Sequence, residues 1–317
     1  MASHRIADTT TDGHPTVTLS SADMDATFAP SVGMIGCSLR HRGVELLGQR
    51  GGLGKYAASG STMGIPLLHP WANRLSGFAY TAAGREVTLD PQSPLLHRDA
   101  NGLPMHGLLA ANRNWRVVDR STDQHRARLS AVLDFAADQT LLAAFPFPHT
   151  LALDIELRDA TLTIVTTLRP TGDTAVPVSF GFHPYLQLPG VDRAAWHIEA
   201  PVRRRLLLDQ RMIPSGDSET VVVKPGPLGE RAFDDLFGDL QRPARFVLVG
   251  GGRRITVAFD DWYRFAQIYA PAGQTLLCFE PMTAPTNALI SGQALTMAAP
   301  GSEYRAAFSI VIRSGDL

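Results

Sequence analysis

The chain has 317 residues, 44 % of them hydrophobic and 19 % charged, with a formal net charge of -1. That balance excludes a disordered chain and gives no electrostatic case for a nucleic-acid or acidic-membrane partner. Two cysteines, Cys37 and Cys278, are too few for a disulfide scaffold or a cysteine metal site, and the ten histidines show no H-x-H or H-E-x-x-H spacing, so no metal is expected.

Residues 1–13 are polar and lack an apolar core of signal-peptide length. A loose tail over residues 1–14 and a single domain over 15–317 are expected. No apolar run approaches membrane-spanning length, so the protein is expected to be cytoplasmic. Residues 16–19, 34–39 and 44–47 read as short strands, and the Gly- and Ser-rich stretch 49–64 as a long loop. Within it, Gly51-Gly52-Leu53-Gly54-Lys55 lacks the spacing of a phosphate loop, and Tyr56 stands where Ser or Thr should follow the lysine.

The clearest alternation lies in the middle. Ala127, Leu129, Ala131, Leu133 and Phe135 share one face, as do Leu151, Leu153, Ile155 and Leu157. After Arg158-Asp159-Ala160 the run 161–168 alternates again, which predicts a hairpin with one buried face. A second hairpin is predicted over 246–249 and 255–259 around Gly250-Gly251-Gly252, and a last long strand over 304–312. Residues 138–145 are the one candidate helix. Many short strands joined by Gly/Pro turns argue for an all-β chain.

Several stretches could carry chemistry. In Leu276-Leu277-Cys278-Phe279-Glu280-Pro281 an apolar run ends on one carboxylate, and the proline is expected to stop the strand there. Apolar surroundings raise a carboxyl pKa towards neutrality, which suits a general acid or base, although a surface loop Glu is the plainer reading. In Val178-Ser179-Phe180-Gly181-Phe182-His183-Pro184-Tyr185, alternation leaves Ser179, Gly181 and His183 on a face of small residues. His183 then projects over open space as a proton donor or, equally, bonds backbone as a structural residue. Trp71-Ala72-Asn73-Arg74 sets a guanidinium fork beside an aromatic, suited to a polyhydroxylated ligand or simply to solvent. His106 lies among apolar residues before Gly107, where a satisfied core histidine is the commoner outcome. Asp234 and Asp235 could cap a helix or bind hydroxyls, and Gln267 in an apolar strand needs a partner if buried. Arg203-Arg204-Arg205 would not all point one way in a strand, and His97-Arg98-Asp99 lacks the surroundings of a kinase catalytic loop.

Taken in order, Ala72-Asn73-Arg74, Met105-His106-Gly107, Gly181-Phe182-His183-Pro184-Tyr185, Phe233-Asp234, Gln267-Ile268-Tyr269 and Cys278-Phe279-Glu280-Pro281-Met282-Thr283 resemble the aldose 1-epimerase (galactose mutarotase) family, over residues 32–312. The resemblance implies a large antiparallel β-sandwich with a carbohydrate cleft on one sheet. It implies Glu280 as general base and His183 as general acid, with Arg74, His106, Asp234, Gln267 and Asn73 holding a small-molecule sugar. No metal or organic cofactor is implied. The stretches around Glu280 and His69-Pro70-Trp71 look closer to broad bacterial-type members than to the galactose-specific branch. Three alternatives stand beside an epimerase of free aldoses. A hexose-6-phosphate epimerase needs a basic phosphate pocket, which the sequence does not place. A non-catalytic sugar binder would need neither proton-transfer group. A glycoside hydrolase would pair Glu280 with Asp234 and leave His183 without a role. On the epimerase reading, Glu280 and His183 should face each other across a gap one pyranose wide.

Overall fold

The computed structural model describes residues 4–315. Alternation becomes paired strand wherever the sequence shows it. His149–Arg158 and Thr161–Pro170 form a hairpin, with His149 opposite Pro170 and Arg158 opposite Thr161. Leu151, Leu153, Ile155 and Leu157 are buried and Asp154 is exposed, so one face meets the core and the other meets solvent. Burying each such aliphatic side chain contributes about 1.5–3 kcal/mol. Ala244–Gly250 and Arg253–Phe259 form the second predicted hairpin, and Tyr304–Ser314 pairs between it and the first.

Among the described residues, three large antiparallel sheets of five, nine and eight strands result, with two further two-stranded sheets. The nine-stranded and eight-stranded sheets face each other, with Phe182 against Phe308 at 4.9 Å between ring centroids and Phe246 against Phe279 at 5.2 Å. The hydrophobic core runs continuously from Val17 to Ile312 between these layers. This is the all-β, antiparallel sandwich architecture expected of the sequence. The candidate helix forms as Gln139–Ala144, capped by Asp138, whose carboxylate accepts from the backbone N–H groups of Thr140 and Leu141.

Three local expectations are corrected. The tail assigned to residues 1–14 is ordered strand from Arg5 to Thr11, paired along its length with His14–Ser20; residues 1–3 lie outside the described residues. The turn between them is Asp12-Gly13, both at positive φ (49° and 78°), a two-residue hairpin sequence whose backbone twist matches that of the flanking strands. Stretch 49–64 is not all loop: Gly52–Ser59 is helical, burying Leu53 and Tyr56 one turn apart and ending on Gly60 in the left-handed conformation. Finally, Pro281 does not end its strand, which spans Leu277–Met282 with Pro281 opposite Ala266. On its other side the neighbouring chain is itself broken between Gly181–Phe182 and Tyr185–Leu186, so a missing N–H is tolerated there.

Candidate active site

The site lies on the face of the eight-stranded sheet turned away from the core. Alternation along Leu277–Met282 sends Phe279 into the core and leaves Cys278, Glu280 and Met282 on the opposite face. Along Phe265–Ala270 it leaves Gln267 and Tyr269 there, with Gln267 directly opposite Glu280 and Tyr269 opposite Cys278. On the other flank, Gly181 pairs with Met282 and Tyr185 with Cys278. That register leaves His183, just past the strand Gly181–Phe182, opposite Glu280. Asp234, on Phe233–Leu240, pairs with Tyr269 and so stands diagonal to Gln267.

Two loops close over this face. In Trp71-Ala72-Asn73-Arg74 and Met105-His106-Gly107, Asn73 and His106 both adopt positive φ (57° and 66°). The loops are laced together: the His106 N–H donates to the Asn73 carbonyl at 2.8 Å, and the Leu108 N–H to the His69 carbonyl at 2.7 Å. Gly107 sits at φ +74°, and a Cβ there would lie 2.1 Å from the His69 carbonyl oxygen. Only glycine allows this approach. All seven candidates, Glu280, His183, Arg74, His106, Asp234, Gln267 and Asn73, line one cleft of about 200 Å³.

Within it, His183 Nε2 is 3.3 Å from Glu280 Oε1, and both side chains are buried. The pyranose-wide gap expected between them is therefore absent, because the sheet register makes them cross-strand neighbours. Burial, reinforced by Asp234 and opposed by Arg74, pushes the Glu280 carboxyl well above the usual range. Burial, then His106 and Arg50, pushes the His183 imidazole well down. Both directions favour a carboxylic acid beside a neutral imidazole, a pair that holds one mobile proton. Tyr185 stacks on His183 at 4.3 Å with its ring nearly parallel, and its hydroxyl is 3.3 Å from His183 Nε2. That hydroxyl is held by Thr62 at 2.6 Å and accepts from Arg50 Nη1 at 3.0 Å.

The remaining groups are fixed by polar contacts. Arg74 Nε donates to Asp99 Oδ2 at 2.7 Å and its Nη1 to Asn73 Oδ1 at 2.9 Å, so the fork is held in place. Gln267 Nε2 donates to Asp234 Oδ1 at 2.6 Å, while burial raises the Asp234 pKa. Gln267 Oε1, His106 Nδ1 and His183 Nδ1 are buried without a partner among the described residues. Asp235 turns away and pairs with Arg205 at 3.2 Å, which separates the roles of the two aspartates.

Sequence reasoning did not pick out Arg50, Thr62, Tyr185 or Asp99 as site residues. Arg50 and Thr62 lie in the Gly/Ser-rich stretch, where no periodicity marks them. Asp99 belonged to a triplet set aside for lacking kinase context, and it stands 25 positions from Arg74, so no local signal joined the two.

The family model "Aldose 1-epimerase" matches residues 37–311. The uncharacterized protein YihR of Escherichia coli K12 is 24 % identical over 270 residues, covering 78 % of this chain and 80 % of YihR. Among solved structures, a galactose mutarotase-like protein from Clostridium acetobutylicum superposes with a TM-score of 0.86 at 17 % identity, covering 99 % of both chains. A galactose 1-epimerase from Lactobacillus acidophilus gives 0.76 at 14 % identity over 100 % of both. At these identities the likeness to the solved structures establishes the fold.

Proposed function

We propose that this chain, which belongs to the aldose 1-epimerase family, interconverts the α and β anomers of an aldose by acid–base opening and closing of the sugar ring. The observation that carries this reading is the buried Glu280–His183 contact at 3.3 Å on the floor of a polar cleft. Anomerisation must remove a proton from the C1 hydroxyl and deliver one to the ring oxygen. Both oxygens are bonded to the same carbon. An acid and a base in contact with each other can therefore reach both from one side, and no ring need fit between them.

One proton suffices for the cycle. Glu280 as carboxylate takes the C1 hydroxyl proton while His183 as imidazolium protonates the ring oxygen. The C1–O bond to the ring breaks and C1 becomes an aldehyde carbon. Glu280 and His183 are then both neutral, the state their burial favours. Rotation about C1–C2 presents the other face, and each group reverses its role as the ring closes. Arg74, held by Asp99 and Asn73, and the Asp234–Gln267 pair supply donors and acceptors for hydroxyls, and His106 lines the wall beside His183.

A second reading of the substrate has its own support. A pocket of about 250 Å³ shares Arg50, Thr62, Met105 and His106 with the cleft. Its lining includes Arg50 and Arg98 and no Asp or Glu. An aldose bearing an anionic substituent such as a 6-phosphate fits that charge pattern. Polarimetry or anomeric exchange spectroscopy on freshly dissolved α-anomers tests both readings. Acceleration with neutral aldoses supports the first. Acceleration confined to phosphorylated sugars, and lost in Arg50→Leu, supports the second. No acceleration with any aldose or aldose phosphate removes both and leaves a binding protein.

A further inference from the structure

His183, Glu280 and Cys278 form a compact set of three different metal-ligand types. Their donor atoms lie within 4.8 Å of one another, and all three side chains are buried. The set arises from sheet geometry that no sequence spacing reveals. Cys278 and Glu280 lie two apart on one face of Leu277–Met282. His183 faces Glu280 from the adjacent chain, and Tyr185, stacked on His183, pairs with Cys278. We propose that these residues form a binding site for a thiophilic divalent cation, with Zn²⁺ the best match, and that occupancy by the cation shuts the cleft to sugar.

The geometry needs little adjustment. Around a tetrahedral Zn²⁺ the ligand atoms of one His, one carboxylate and one Cys stand roughly 3.4–3.6 Å apart. The His183–Glu280 pair is already at 3.3 Å. With all three donor atoms within 4.8 Å, the thiol has to close at most about 1.4 Å, within reach of a side-chain rotation. The mixed S, N and O donor set favours Zn²⁺ over hard cations such as Mg²⁺ and Ca²⁺. The three protein ligands leave the fourth position to face the cleft. Binding displaces the thiol proton and the one proton held by the pair, and both pass to solvent. Asp234 adds negative charge nearby, and the Arg74 guanidinium is neutralised by Asp99 at 2.7 Å. Arg50 opposes the cation but is tied to Tyr185 and Thr62.

Binding by the trio does not depend on the epimerase reading, whereas the inhibition rests on it. The two are separated by titrating the protein with Co²⁺ in the absence of sugar. Co²⁺ takes Zn²⁺ sites and shows thiolate-to-metal charge-transfer absorption. The wild type is expected to develop that band, and Zn²⁺ to displace it. Cys278→Ser should lose the band and weaken binding by at least about 100-fold, more than the roughly 10- to 100-fold that loss of an outer-shell partner costs. Cys37→Ser, which alters the other buried thiol, should keep the band. Where anomerisation is measurable, Zn²⁺ should inhibit the wild type competitively with sugar and spare Cys278→Ser, and a chelator should restore the rate. A wild type without a thiolate band overturns the site. So does a band that survives Cys278→Ser or disappears in Cys37→Ser. A Cys278-dependent band in a protein that accelerates no sugar leaves the site standing and removes the epimerase instead.

Discussion

Behind the cleft, His69 and His149 make a buried pair that should set how the fold responds to acid. Their Nε2 atoms are 2.9 Å apart, and His149 Nδ1 is 2.6 Å from the Phe147 carbonyl oxygen. The carbonyl can only accept, so His149 carries its proton on Nδ1 and offers a lone pair at Nε2. His69 must then carry its proton on Nε2 and donate it. The pair is closed with two protons, packed against Phe135, Phe145 and Phe180. A third proton would have to enter a dry site, either on His69 Nδ1, which has no partner among the described residues, or on His149 Nε2, where it would set two N–H groups against each other. Burial accordingly pushes the His149 pKa down to about 4 and that of His69 well down. In the unfolded chain a histidine titrates at about 6.5. Between pH 6.5 and about 4 the unfolded state therefore binds the His149 proton and the folded state does not. The stability this residue contributes is whole above pH 6.5 and is lost as pH falls, by about 1.4 kcal/mol per unit and about 3 kcal/mol in total. His149→Phe keeps the stack on Phe135 but removes the acceptor of His69, costing about 1–3 kcal/mol at pH 7.5. Urea unfolding of both proteins from pH 7.5 to 4 should show the variant less stable at neutral pH. The difference should shrink through the window and close or reverse near pH 4. Parallel stability curves would refute the assignment of neutral, buried histidines.

The other predictions concern the cleft. Glu280→Gln and His183→Asn should each slow anomerisation by about 100- to 10,000-fold without loss of folded structure by circular dichroism, and a full rate in either would remove that residue from the chemistry. Asp99→Asn frees the Arg74 fork and should lower kcat/KM by about 30-fold, the equivalent of about 2 kcal/mol for one charge-assisted hydrogen bond. A change smaller than twofold would mean that Arg74 does not need to be held. Gly107→Ala adds a Cβ 2.1 Å from the His69 carbonyl oxygen at φ +74°, so urea unfolding should show a loss at or above the top of the usual 1–3 kcal/mol for strained backbone. Unchanged stability would show that the two loops can part at no cost.

How far the sequence could be read follows from what sets each feature. Alternation is local, so the hairpins His149–Arg158 to Thr161–Pro170 and Ala244–Gly250 to Arg253–Phe259 were legible from a few residues each. Turn chemistry is equally local, and Asp12-Gly13 was missed because a polar, Thr-rich segment reads as tail unless its hairpin turn is weighed first. The Thr9 hydroxyl bonds those of Thr16 and Thr18 at 2.8 and 2.9 Å, so polar side chains stitch that strand where apolar ones do elsewhere. Ladder partners are a different kind of information. Whether Pro281 ends a strand depends on what lies beside it, and the break at His183-Pro184 in the adjacent chain is nearly a hundred positions away.

The same reasoning explains the contact between the candidate acid and base. Alternation indicated that His183 leaves the core on an open face, and the apolar run before Pro281 indicated that Glu280 stands at a strand end among apolar neighbours. Neither could indicate that the two residues stand opposite each other on one face, because that is fixed by the pairing of Gly181 with Met282 and of Tyr185 with Cys278. A one-residue slip of either short strand would send His183 into the phenylalanine layer and abolish the pair. Gly181 guards against that slip. A Cβ there would come within 2.6 Å of the Pro281 carbonyl oxygen and 3.0 Å of the Ala72 side chain. The chemistry proposed for the cleft thus depends on a glycine that has no functional group, placed where two chain segments must come closer than any other residue allows.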